Sequence, residues 1–255
     1  MLPTARAIRY VTPLREGGSL PGVVEADDDG TWVLKFRGAG QGLKVLVAEV
    51  IVGELGRALG IRVPALKAIE LPEPIAKYEA DEEVQDLLTA SVGLNLGVDL
   101  LPGAFGYDGS APPPASIAAE ILWLDAFTAN IDRTPRNPNL LVWHGETWCI
   151  DHGAALYFQH AWPTRAPSPT RFAEQPYDPE SHILRPIARD LTGTHARLSE
   201  LVTPSLLAEV VDLVPEEWLE TTEWLPSTAS VRSAYVDHLL ARVANPAAWL
   251  PEDSP

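Results

Sequence analysis

A change of character at residues 107–114 does most to limit what this chain can fold into. The stretch is rich in Gly, Ser and Pro, which interrupt regular structure and mark boundaries. Before it, short β-branched and aromatic runs alternate with turn signals. Residues 7–13, 23–26 and 31–36 read as strands, the last two joined by the turn Asp27-Asp28-Asp29-Gly30. Residues 45–60 place Val47, Ile51, Leu55 and Leu59 at helical spacing and stop at Gly60. Residues 63–71 read as a strand, 81–92 as a short helix and 97–101 as a brief strand ending at Pro102-Gly103. After the boundary, an apolar helix runs from Ala115 to about Ala129. A hairpin follows, with strands 140–143 and 147–150 about His144-Gly145-Glu146. Residues 158–179, full of prolines and aromatics, read as an ordered loop. Helices are expected over 182–191, 194–202, 205–213 and 230–244, the first weakened by Pro186. The order predicts an α+β chain with a small β-rich part, residues 1–106, and a larger helical part, residues 107–255. Trp123, Trp143 and Trp148 are expected in the core, and Trp218, Trp224 and Trp249 should pack the helices.

Composition removes several functions. There are 35 acidic against 19 basic residues, a formal charge of −16. Such a surface repels phosphate backbones and anionic headgroups, so nucleic acid and membranes are expected to be poor partners. Cys149 is the one cysteine, so no internal disulfide forms and no Cys/His cluster has zinc spacing. Residues 1–10 lack the apolar segment of a signal peptide, and no uncharged run approaches the ~20 residues that span a bilayer. A cytoplasmic location is expected.

The densest polar cluster is the run from Asn130 to Asn139, NIDRTPRNPN, between the long apolar helix and the hairpin. Two prolines stiffen it, since each fixes φ. Asp151 follows Asp132 by nineteen residues, at the end of the hairpin, and the hairpin can carry it back to Asp132 and Asn137. Phosphoryl transfer needs this combination. One carboxylate orients the attacking hydroxyl and accepts its proton, and a second, with a neutral oxygen donor, holds magnesium against the phosphates. The spacing D-x-x-x-x-N, then a hairpin ending in D-x-G, matches the protein-kinase pattern. On the loop alone, a Pro/Asn surface turn is an equal reading; the register of Asp151 favours the chemistry.

The run NIDRTPRNPNLLVWHGETWCIDHGAAL resembles the catalytic and metal-binding segment of the HipA-like kinase family. GVVEADDDGTWVLKF and AEVIVGELGRALGIRVP resemble that family's ATP-binding lobe, and the likeness spans about residues 10–160. It implies a two-lobed protein-kinase-like fold, ATP and Mg2+, and γ-phosphate transfer to a hydroxyl on a protein Ser/Thr or a small molecule. By this resemblance Asp132 is the catalytic aspartate and Asn137 and Asp151 are metal ligands. Lys35 takes the place of the lysine on the α/β-phosphates, and Glu49 pairs with it. Glu54 competes with Glu49, but five residues apart on a helix is about 140° of rotation, so only one faces the lysine. Gly17, Gly18 and Ser19 fall in a glycine-rich stretch where backbone amides approach phosphates. Asp99 and Leu101, in GVDLL, are positioned to offer backbone groups to adenine.

The chain also departs from kinase patterns. Thr134 occupies the place of a basic residue two after the catalytic aspartate, leaving Arg133 or Arg136 to supply the charge. Asp-His-Gly has no phenylalanine for a packing switch. A pseudokinase that only binds nucleotide therefore stays open. So does a phosphoinositide or small-molecule kinase, with Arg165 and Arg171 the nearest cations for an anionic acceptor. The chain begins almost at the kinase lobe, so neither the toxin activity of HipA proteins nor a DNA-binding partner is expected to carry over. Cys149, His144 and His152 read as local structural groups.

Overall fold

The computed structural model describes residues 1–15, 20–40, 42–73, 75 and 79–253. Five strands, β1 (Thr4–Pro13), β2 (Gly22–Ala26), β3 (Thr31–Lys35), β4 (Leu66–Leu71) and β5 (Gly93–Asp99), close in the order β1-β2-β3-β5-β4. Neighbours run antiparallel, except that β1 meets β4 in parallel at Thr4–Ala68. The alternation of β3 puts Trp32 and Leu34 inward and leaves Lys35 on the other face. Trp32 and Leu34 join Val24, Ile69 and Leu71 in a core sealed by Val84 and Leu88 of helix α2 (Glu82–Ala90). Asp81 caps α2 by accepting from the amides of Glu83 and Val84.

Helix α1 (Leu43–Ala58) is buried all round from Leu46 to Gly53. A helix apolar on every side must lie inside the molecule, and α1 packs on the helix Pro204–Val211 and on residues 216–218 as well as on β4. Gly60 ends it at φ 87°, and Ile61 N–H bonds back to Gly56 O (2.9 Å), an αL closure that suits glycine.

The second sheet is β6 (Phe105–Gly106), β7 (Leu140–Trp143) and β8 (Glu146–Cys149). Phe105 pairs with Val142, so the chain joins this sheet just before the Gly/Ser/Pro stretch. Helix α3 (Ala115–Thr128) runs through the core shared with α1. Against it pack α5 (Leu191–Leu201) and α7 (Thr228–Val243), with α4 (Pro169–Ala173) on α7 and α6 (Pro204–Val211) between α7 and α1. Residues 213–220 cross back to the β-rich side. Leu2 N–H donates to Leu213 O (2.8 Å), Trp218 Nε1 to Leu94 O (3.2 Å), and Glu217 and Glu220 pair with Arg37 and Lys44.

Some expected elements differ. Residues 182–190 form turns rather than a helix. Pro186 interrupts the segment, Ile183 N–H is drawn to Arg133 O, and Leu184 N–H to His182 Nδ1. The 158–179 loop holds a 3-10 turn, Tyr157–Ala161, and the short α4. β4 starts three residues later than read, and β5 starts at Gly93 and ends before Leu101. Trp123, Trp218 and Trp249 are buried, whereas Trp224 is 48% exposed and packs little.

Candidate active site

β3 delivers Lys35, α1 delivers Glu49, and the chain just past β8 delivers Asp151. Lys35 Nζ forms an ion pair with Glu49 Oε1 and another with Asp151 Oδ1 at 2.9 Å. Glu54 pairs instead with Arg57 of its own helix at 3.5 Å. Gly153 makes the close approach feasible: a Cβ there would lie 2.5 Å from Val45 Cγ1 and 3.1 Å from Glu49 Oε1. Glu49 is 2% exposed, while the Asp151 side chain is 45% exposed. Two carboxylates therefore share one ammonium in unequal surroundings. Burial pushes Glu49 up to about 7 against the pull of Lys35, with Asp151 adding repulsion. For Asp151, burial raises and the Lys35 ammonium lowers; the ammonium wins and holds it down at about 2. For Lys35 the two carboxylates outweigh burial and raise it to about 12.

The polar loop starts where Ala129, at φ 55°, ends α3. Thr134 and Asn137 bridge each other (N–H···O 3.0 and 3.1 Å), so Pro135 and Arg136 form a tight turn. This places Asn137 Nδ2 to donate to Asp132 Oδ2 at 2.8 Å, and Asn139 Nδ2 approaches the same oxygen at 3.4 Å. Ile150 N–H donates to Asn139 O (3.0 Å), stitching the hairpin's end to the loop. With its nitrogen committed to Asp132, Asn137 has its amide oxygen left for another partner.

Arg133 is 1% exposed and turned toward Asp125 of α3, so of the two arginines considered for the missing charge only Arg136 is exposed. Asp99 N–H donates to Ala65 O (2.9 Å), and Leu101 O accepts from Ala104 N–H (3.1 Å). Gly17, Gly18 and Ser19 lie outside the described residues. His152 is buried, with Nδ1 3.4 Å from Arg133 Nη2, and burial together with Arg133 pushes it down to about 3. It is a neutral core histidine. Burial pushes the Cys149 thiol up to about 12, making it an inert small hydrophobe. A groove of about 530 Å³ along β1, lined by Arg6, Arg9, Tyr10 and Glu79 among others, shares no residue with the Lys35 cluster. Sequence reading passed over Asp125, the buried partner of Arg133. A lone carboxylate within the apolar run ILWLDAF was the available signal.

A five-stranded β-barrel followed by a mainly helical half that carries the polar loop and the hairpin is the architecture of the protein-kinase-like class. The HipA-like kinase family model matches residues 8–251, and the chain belongs to that family. Membership makes it, at the general level, one of the phosphotransferases. Among solved structures it is similar to the Helicobacter pylori proinflammatory kinase CtkA, with TM-score 0.52 and 11% identity, covering 95% of this chain and 99% of that one. It is also similar to the Golgi casein kinase (TM-score 0.47, 12% identity, 95% and 72% of the two chains). The same kinase with Mn/ADP bound aligns at TM-score 0.48 and 12% identity, covering 94% and 73%. A search of the curated proteins finds no match. Among the described residues, no helix is long and apolar enough to cross a membrane.

Proposed function

We propose that this chain transfers the γ-phosphoryl group of MgATP to a hydroxyl acceptor, a protein Ser/Thr or a small molecule, in a cleft between an N-terminal lobe, residues 1–106, and a C-terminal lobe, residues 107–255. The carrying observation is the Lys35–Glu49–Asp151 cluster. It joins the barrel, α1 and the hairpin's end, and its one cation faces two carboxylates. With both ionised, the cluster holds an unbalanced negative charge beside a half-open carboxylate, an arrangement suited to a divalent cation. The donor set fits magnesium: the Asp151 carboxylate and the Asn137 amide oxygen are hard oxygen ligands. Among the described residues no three His, Cys, Asp or Glu side chains converge as a metal cage. The protein therefore offers an open site, with remaining positions left to phosphate oxygens and water. Magnesium there supplies charge neutralisation across the phosphates.

The protein's own groups divide the work. Lys35 holds the α/β-phosphates, and Glu49 aims its ammonium. Asp132, steadied by Asn137, orients the acceptor hydroxyl and takes its proton. Adenine contacts fall to the Asp99 carbonyl and the Leu101 amide, because their other backbone groups are committed internally. The net charge of −16 disfavours nucleic acid and membrane partners, and a cytoplasmic setting fits the single cysteine. The inward turn of Arg133 supports one second reading, a catalytically weak nucleotide-binding scaffold, since the loop then lends the phosphates only Arg136.

Thermal-shift titration with ATP, with and without magnesium, paired with label transfer, separates these readings. Asp151→Asn is expected to abolish both the magnesium-dependent shift and transfer. Asp132→Asn should keep the shift and lower transfer by about 10²–10⁴-fold, because it removes transition-state help alone. A wild type that shifts with MgATP yet labels nothing favours the scaffold, and a wild type without any shift ends the phosphotransferase reading.

A further inference from the structure

The interior of α3 presents a problem that its sequence cannot solve locally. Asp125 lies among Ile121, Leu122, Trp123, Leu124, Ala126 and Phe127, all buried, and is itself fully buried. A carboxylate in such a place needs a cation and a full set of donors. Arg133 supplies the cation from the polar loop. Oδ2 accepts from Arg133 Nε (2.5 Å) and His182 Nε2 (2.9 Å); Oδ1 accepts from Asn130 Nδ2 (2.9 Å) and Arg133 Nη2 (3.2 Å). Leu184 N–H donates to His182 Nδ1 (3.1 Å), so that ring carries its proton on Nε2 and is a neutral donor. The cluster is charge-balanced.

The rest of the guanidinium fork reaches two other segments. Nη1 donates to Asn139 O and to Ile150 O (3.2 Å), and Nη2 contacts His152 Nδ1. These contacts fall beside two left-handed residues, Asn139 at φ 48° and Asp151 at φ 57°, a region uncommon outside glycine though the one Asn and Asp enter most readily. Arg133 O in turn accepts from Ile183 N–H (3.0 Å), and Asn130 O from the Tyr177 hydroxyl (3.0 Å). Asn130, Arg133 and Asn139 belong to the Asp132 loop, and Ile150 and His152 flank Asp151.

We propose that Asp125 and Arg133 are positioning residues that hold the Asp132 loop and the Asp151 segment as one rigid unit, so that the catalytic and metal-binding carboxylates keep a fixed relation. The proposal rests on the phosphotransferase reading above. It also accounts for the inward turn of Arg133: the arginine next to the catalytic aspartate braces the site and contacts no phosphate. Lysine cannot replace it, because a single ammonium lacks the planar fork that spans a carboxylate and two carbonyls.

The test uses the full chain with Asp125→Leu and Arg133→Met combined. The pair removes both charges together, avoiding the stranded buried ion that either single change leaves. A separate Arg133→Lys variant keeps the charge without the fork. Each is measured for melting temperature, kcat and KM for MgATP, and amide hydrogen exchange at Ile150 and Ile183. Positioning predicts folded variants whose kcat falls about a hundredfold and whose KM rises about tenfold, since both carboxylates move. Exchange at Ile150 and Ile183 should rise together. A merely structural role would scale kcat with the folded fraction and leave KM alone. A folded variant with wild-type kcat and KM, or unchanged exchange at both amides, overturns the proposal. If the wild type turns over no ATP, the phosphotransferase reading fails, and the exchange data alone decide whether the pair couples the two segments.

Discussion

Two charged clusters flank the same short segment, residues 150–152, and they are built differently. The Arg133 and Asp125 side chains are both fully buried, one cation to one anion, with every carboxylate oxygen donated to twice. Lys35, Glu49 and Asp151 set one cation against two carboxylates, one of them nearly half open to solvent. The sealed cluster is balanced and complete, so it has nothing left to bind. With both carboxylates ionised the open cluster is unbalanced, and its excess negative charge can be relieved by a proton on Glu49 or by a cation from outside. Burial alone would have ranked the arginine pair first; charge balance and access are why we propose the lysine cluster as the chemical one.

The largest expected effect separates the two by function. Lys35→Met should reduce label transfer by about 10²–10³-fold, the loss typical of removing a preorganised electrostatic contact, while the protein stays folded. Unchanged transfer in a folded variant would remove Lys35 from the site. Next comes stability. Arg133→Met alone strands a buried carboxylate and should cost about 3–5 kcal/mol in denaturant unfolding. A cost below about 1 kcal/mol would mean that Asp125 is not held as an ion and that the sealed cluster is misread.

A smaller effect compares two glutamates of α1. Glu49→Gln removes a buried charge-assisted contact to Lys35 and should lower kcat/KM about tenfold. Glu54→Gln touches only a partly exposed pair with Arg57 and should stay within about twofold. Equal losses would show that α1 does not aim Lys35 through Glu49.

The smallest effect is a difference in pH response. Glu49 is raised from 4.5 to about 7 in the folded chain, so the folded state holds its proton more tightly than the unfolded one. That contribution to stability is complete below pH 4.5 and is lost as pH rises through about 7. Asp125 is shifted the other way, held far below 3.8 by Arg133 against burial, so its contribution is present above pH 3.8 and is lost only in stronger acid. From pH 5 to 8 the melting temperature of the wild type should decline relative to Glu49→Gln, with the sealed cluster silent. Parallel curves would show that Glu49 is already ionised throughout.

Much of the fold was legible because the signals are local. Alternation in TWVLKF, the spacing of Val47, Ile51, Leu55 and Leu59, the DDDG turn and the stop at Gly60 each depend on a few neighbouring residues. Readings failed where distant partners competed for the backbone. Residues 182–190 carry a helix-like pattern, but Pro186 and the pull of Arg133 O on Ile183 N–H leave turns. Trp224 was read by residue type, and its exposure depends on what lies over it. For the candidate site, spacing singled out Asp132, Asn137 and Asp151 and the family resemblance added Lys35 and Glu49, while Asp125 passed unnoticed because its partner lies outside its helix.

By itself, then, the sequence determined a β-rich part followed by a helical one, a stiff polar loop between helix and hairpin, and a carboxylate at the hairpin's end. Periodicity and the backbone limits of Pro and Gly set these within a few residues. The resemblance favoured Glu49 over Glu54 as the partner of Lys35, and the tertiary structure makes that ion pair; only the tertiary structure decided that Arg133 turns inward. A loop side chain goes where its donors find acceptors. For Arg133 those acceptors come from residues 125, 139 and 150, brought together only once the helix, the loop and the hairpin have packed around one core.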